Sequence, residues 1–174
     1  MTTSDSAAQQ SWGEPRSKTV SWHDPRVAST AGTEMSGLDY LTAMAEERLP
    51  APPIGMLLGF RPISIAEGDV VFSCVPDESM YNPIGTVHGG VACTLLDSAA
   101  GCAVHTTLPA GTGYTSGEIK VNYLRAIHAG SGALRAHGWV TKPGKRMAFA
   151  EADLRDEQGK VLATASSTCL VIPG

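Results

Sequence analysis

Asn82-Pro83-Ile84-Gly85-Thr86-Val87-His88-Gly89-Gly90 runs without a break into Val91-Ala92-Cys93-Thr94-Leu95-Leu96-Asp97-Ser98-Ala99-Ala100-Gly101-Cys102-Ala103-Val104-His105-Thr106, and the fold turns on this stretch. From Val87 to Thr106 no proline intervenes, and Val91, Leu95, Ser98/Ala99 and Cys102 recur at helical spacing on one face, which predicts a helix over 87–106. Gly89, Gly90, Gly101 and many alanines make it a poor helix by propensity alone. Such a helix persists only if its surroundings bury and hold it.

Upstream, Leu38, Leu41, Thr42, Met44, Ala45 and Leu49 follow a helical period behind Ser36, a plausible N-cap, and Pro50, Pro52 and Pro53 end that helix. Met56 to Ile65 and Asp69 to Val75 read as a hairpin about the turn Ala66-Glu67-Gly68, and residues 76–83 as a loop. Downstream, Glu118 to Leu124 alternates Ile119, Val121 and Tyr123 with Lys120 and Asn122. Strands over 133–141, 147–155 and 160–172 follow, separated by Lys142-Pro143-Gly144-Lys145 and Asp156-Glu157-Gln158-Gly159. Strands joined by hairpin-length turns on both sides of one apolar helix predict an α+β fold, an antiparallel sheet wrapped around a long central helix.

The 174 residues suit one domain, with 43% hydrophobic residues and only 6% aromatics, so the core is expected to rest on small and aliphatic side chains that let a helix press closely on a sheet. A net charge of -4 without a basic run argues against nucleic-acid binding. No segment reaches the ~20 apolar residues of a membrane helix. The polar start Met1-Thr2-Thr3-Ser4-Asp5-Ser6 lacks a secretion pattern, and Cys74, Cys93, Cys102 and Cys169 lie scattered in apolar stretches without Cys-x-x-Cys spacing. The expectation is a cytoplasmic protein with reduced, buried cysteines. Residues 1 to about 18 read as a mobile tail, and Trp22-His23-Asp24-Pro25 suggests that 19–34 drapes over the body.

Chemistry concentrates at the start of the long helix. Its first amides have no partner inside the helix and carry the positive end of the dipole, which suits an oxygen that becomes negative during acyl transfer. Gly89 and Gly90 either admit a ligand to those amides or simply allow tight packing. Asp97 stands between Leu96 and Ser98 in the apolar part of the helix, where a carboxylate is costly unless paired or used. Asp97 lies nine residues beyond His88, ~13.5 Å along a helix and about 180° around it. One helix cannot bring both to one reacting carbon, so a shared site requires two copies related by a two-fold axis, a homodimer. His88, Asp97 and His105 lack a metal-ligand spacing, no metal is expected, and His88 is read as positioning Asn82 or the glycine backbone. No Gly-x-Ser-x-Gly elbow is present.

Asn82, His88-Gly89-Gly90 and Asp97 at this spacing resemble the hotdog-fold thioesterases of the phenylacetate-degradation, PaaI-like type, and the likeness extends loosely from Ser36 to Ile172. With the composition of the first residues, this gives a leader over 1–34, expected to be partly disordered, and the resemblance implies a hotdog domain over 35–174. It implies hydrolysis of an acyl-CoA thioester, with Asp97 as nucleophile or general base and the Gly89 amide of the partner subunit polarising the carbonyl. Asn82 would bind the carbonyl or the water. Ser116, with Thr115 next, would assist the acid, since this chain has Gly101 where some relatives place a threonine. Gly90 would line the substrate, and Arg125, Lys142, Lys145 and Arg146 are candidates for the phosphates. No cofactor is implied, because coenzyme A is part of the substrate. A homodimer or a dimer of dimers is expected. A hotdog hydratase or dehydratase and a non-catalytic acyl-CoA binding module are the alternatives.

Overall fold

Proline and capping residues organise the first third of the chain. The computed structural model describes residues 12–174, so the mobile tail expected over the first eighteen falls mostly on residues 1–11, outside the described residues. Helix α1 (Pro25–Gly32) starts on a proline behind Asp24, whose carboxylate accepts from the Arg26 N–H. Its place within the leader was not foreseen. Helix α2 (Gly37–Ala45) starts as expected: the Ser36 hydroxyl accepts from the Asp39 N–H at 3.1 Å and donates to its carboxylate at 2.7 Å. It stops at Ala45, short of the prolines, with Glu47 at φ 58°.

Pro52 and Pro53, expected only to close that helix, open another. Helix α3 (Pro53–Leu58) begins on Pro53 and ends at Gly59 in the left-handed region, φ 63°. Met56 to Leu58 is therefore helix, and the first strand, β1 (Phe60–Ala66), is shorter than expected. It pairs with β2 (Asp69–Cys74) in the anticipated hairpin, and a 3-10 turn (Glu78–Met80) follows in the loop.

Helix α4 (Gly89–Thr106) is the long helix, with His88 as its N-cap. After it come β3 (Thr112–Tyr123), β4 (Leu134–Lys142), β5 (Met147–Arg155) and β6 (Val161–Pro173). The six strands form one antiparallel sheet in the order β1-β2-β4-β5-β6-β3, and α4 contacts all six of them in the hotdog arrangement. Val91, Ala92, Leu95, Leu96, Ala99, Ala100, Ala103 and Val104 are buried, which is what holds a helix of such weak propensity. The close approach needs small residues on both sides. A Cβ on Gly138 of β4 would lie 2.2 Å from the Ala99 carbonyl carbon, and one on Gly101 would lie 2.7 Å from the Tyr114 ring.

The two borders of the sheet differ. β1 is short, carries Pro62 and loses register between Pro62 and Ser64. β3 spans 12 residues and, among the described residues, pairs only through β6, with one extra residue, Gly117, bulged between Ser116 and Glu118.

Candidate functional site

The loop before α4 is closed by Asn82. Its Oδ1 accepts from the Ile84 N–H at 3.1 Å and the Thr86 N–H at 3.2 Å, while Nδ2 donates to Thr86 Oγ1 at 2.9 Å. Asn82 thus shapes the loop that delivers His88, and contact with a carbonyl or a water would fall to its remaining Nδ2 hydrogen.

His88 Nδ1 accepts from the Gly90 N–H at 2.8 Å, and the His88 carbonyl accepts from Val91. The imidazole therefore caps the helix and holds the Gly90 amide. Gly90 has its amide occupied by that cap. Among the described residues the Gly89 N–H has no partner, so it is the one left to meet a ligand at the positive end of α4.

Gly89 is also held from the sheet. Tyr123 Oη donates to the Gly89 carbonyl at 3.1 Å, and its ring would lie 3.2 Å from a Cβ at that position. Tyr123 was read only as an alternating strand residue. The available signal was its parity with Ile119 and Val121, which puts a hydroxyl on the sheet face that receives α4. Gly89, Asn82, Thr86, Tyr123 and Arg125 share a cavity of about 320 Å³.

Asp97 is partly exposed, and Ser116 Oγ donates to its Oδ1 at 2.7 Å. Strand alternation turns Thr115 to the opposite face, so the structure brings Ser116 and not Thr115 to the acid. Around Asp97 the other ionisable groups stay neutral. Burial pushes the Cys102 thiol up to about 12, with the Asp97 charge adding to it against a hydrogen bond from Tyr114. Burial also raises the Tyr114 phenol well above its usual value. The Cys102 thiol and the Tyr114 phenol beside Asp97 are therefore protonated at neutral pH.

Gly89 and Asp97 stand eight residues apart on one continuous helix, ~12 Å along its axis. The structure therefore does not unite them within one protomer. Nor does it gather the four cations. Arg125 lines the Gly89 cavity and donates to the Val161 carbonyl at 2.6 Å. Lys142 and Arg146 flank Lys145 in an exposed turn, and Lys145 lines a separate cavity with Thr107, Leu108 and Pro109, past the far end of α4. In their own protomer these three lie away from the helix start. Among the described residues no three His, Cys, Asp or Glu side chains are grouped so as to hold a metal ion.

Comparison with known proteins points the same way. A family profile described as the Thioesterase superfamily matches residues 84–163. Human acyl-coenzyme A thioesterase 13 is 32% identical over 108 residues, covering 61% of this chain and 75% of that protein. Among solved structures, the Escherichia coli PaaI protein of the phenylacetic acid degradation operon superposes with a TM-score of 0.69 at 24% identity, covering 80% of this chain and 97% of its own. A phenylacetic acid degradation-related protein from Ralstonia eutropha gives a TM-score of 0.69 at 26% identity, covering 75% of this chain and 98% of that one. The antiparallel sheet on a single long helix, the capped glycine start and these matches together show that the chain belongs to the hotdog-fold thioesterase superfamily and is a thioester hydrolase.

Proposed function

We propose that the chain hydrolyses acyl-CoA thioesters at a site shared by two copies. The observation that carries this reading is the 2.7 Å hydrogen bond from Ser116 to Asp97, on the same helix as the unpartnered Gly89 amide but out of its reach. The Gly89 N–H of one protomer polarises the thioester carbonyl and takes the oxyanion. Asp97 of the other attacks the carbonyl carbon or takes a proton from the attacking water, while Ser116 fixes its orientation. The C–S bond then breaks and the sulfur, a good leaving group, departs as a thiolate; in the general-base route it takes up the proton held by Asp97, and in the nucleophilic route water hydrolyses the acyl-aspartyl anhydride and supplies that proton, so neither metal nor cofactor is needed.

Two features support the shared site. The first is the separation of Gly89 and Asp97 along α4. The second is the β3 border, a long row of unpaired backbone groups beside Ser116, which a second copy of the chain can cover across a two-fold axis. Arg125, beside Gly89, is the protomer's own cation for a coenzyme A phosphate. Lys142, Lys145 and Arg146 lie away from that cavity in their own protomer, so a role for them at the phosphates requires another copy of the chain. A cytoplasmic setting fits four free cysteines, and no helix among the described residues is long and apolar enough to cross a membrane.

The test is thiol release from a panel of acyl-CoAs. The wild type is expected to release thiol, and Asp97→Ala to lose at least ~100-fold in turnover. An undiminished rate in a folded Asp97→Ala protein would remove Asp97 from the reaction. Hydration of an enoyl thioester without thiol release would identify the hydratase alternative instead.

A further inference from the structure

The proposed chemistry leaves a second, larger groove beside the same helix start. It holds about 690 Å³ and is walled by Leu57 and Leu58 at the end of α3, Met80 and Tyr81 around the 3-10 turn, and His88, Gly90, Val91 and Thr94 of α4. Its last wall comes from the leader, Lys18 and Val20. Gly90 and Thr94 are spaced i and i+4, so the groove runs along one stripe of α4 from the helix start that would take the thioester carbonyl.

The leader is pinned there. Lys18 Nζ lies 2.6 Å from Asp77 Oδ2, and Arg16 pairs with Glu78. Asp77 is itself fixed by the Ser79 N–H at 2.8 Å, and the ion pair with Lys18 and the Ser79 bonds hold its carboxyl down to about 2. Two basic side chains facing two consecutive acidic ones place Val20 against the groove, where the aliphatic carbons of Val20, Leu57, Leu58, Met80 and Val91 form an apolar lining. Lys18, Val20, Leu57, Leu58 and Met80 all precede residue 84, where the superfamily match begins.

We propose that the leader, through Val20 held by the Lys18–Asp77 ion pair, is the outer wall of an acyl-chain groove and sets the length of aliphatic acyl group that the thioesterase accepts. This rests on the acyl-CoA reading above. A groove of this size and lining matches an extended alkyl chain, each buried methylene of which strengthens binding about fourfold. A short acyl group would not reach Val20.

The experiment compares acetyl-CoA with decanoyl-CoA in the full-length chain. Val20→Trp, which fills the groove, is expected to lower the decanoyl-to-acetyl ratio of kcat/KM by at least tenfold. Lys18→Glu should raise the KM for decanoyl-CoA by a smaller factor, and the double exchange Lys18→Glu/Asp77→Lys should bring it back, which checks that the ion pair and not overall folding is at work. In the Asp97→Ala background, the Kd of decanoyl-CoA by calorimetry should rise at least tenfold with Val20→Trp. An unchanged ratio with an unchanged Kd, or failure of the charge exchange to restore KM, would overturn the proposal. A wild type that releases no thiol from either substrate, with the Kd still responding to Val20→Trp, would sink the hydrolytic reading and leave the groove assignment standing.

Discussion

Ser116 and Tyr123 both face helix α4, although they stand seven positions apart on β3, an odd interval that in a regular strand sends two side chains to opposite faces. The extra residue at Gly117 restores the match. Upstream of the bulge the even positions point at the helix, and downstream the odd ones do. One strand thereby holds the carboxylate through Ser116 and the glycine start through Tyr123.

Ser116→Ala removes a hydrogen bond to a charged group, worth ~1.5–3 kcal/mol. Expressed in kcat, that is a loss of about 10–100-fold, with KM for an acyl-CoA little changed. Tyr123→Phe removes a neutral bond to the Gly89 carbonyl, worth ~0.5–1.5 kcal/mol, and is expected to cost less than Ser116→Ala. Steady-state kinetics rank the two, and an equal or reversed order would show that the glycine peptide needs the tyrosine at least as much as Asp97 needs the serine.

A shared site predicts complementation. Gly89→Pro deletes the unpartnered amide at the first helical position, where proline is well tolerated. In a heterodimer of Gly89→Pro and Asp97→Ala subunits, one of the two sites receives both intact groups and the other neither. Activity should reappear on mixing two inactive proteins. Purified heterodimers that stay inactive would place the whole reaction within one chain.

The contact of Gly138 with α4 sets a packing limit. Gly138→Ala would press a methyl group onto the Ala99 backbone, 2.2 Å away before relaxation, and overpacking of this kind costs ~1–3 kcal/mol. A urea midpoint well below the wild type's is expected. Gly113→Ala in β3, with nothing within 4 Å of the added carbon, is the control and should shift the midpoint little.

Acid should weaken the fold through His105. The ring lies 5.5 Å from Tyr40 and 5.3 Å from Tyr114, centroid to centroid, and burial lowers its pKa below the usual histidine value. The unfolded chain then takes up the proton first, so the stabilisation is complete above about pH 6.5 and is lost as the pH falls toward the folded-state value. The thermal midpoint should drop between about pH 7 and pH 5, and less steeply in His105→Gln. An identical slope in that variant would assign the acid sensitivity to other groups.

What the sequence disclosed follows the range of the interactions concerned. Helix α4 and strand β5 were legible because periodicity and turn residues are local signals. That the sheet is antiparallel followed from hairpin-length turns, whereas the pairing of β2 with β4 and of β3 with β6 joins strands distant in sequence and left no local signal. Pro52 and Pro53 misled because the same residue that ends one helix can open the next, and only the chain beyond decides which. The placement of Ser116 depended on resemblance, since the bulge that turns it toward Asp97 is a property of the β3–β6 register. Tyr123 and the leader ion pairs were missed for a related reason: their partners, Gly89, Asp77 and Glu78, are distant in sequence.

The contrast between Pro62 on one flank and the uninterrupted run of β3 on the other bears on how assembly stops. Joining through β3 uses up the receptive flank of both molecules at once and leaves only the proline-bearing flanks outward. A pair built this way would present no open flank on which a third chain could extend the sheet, so in the proposed dimer the same asymmetry that admits one partner would stop growth into fibres.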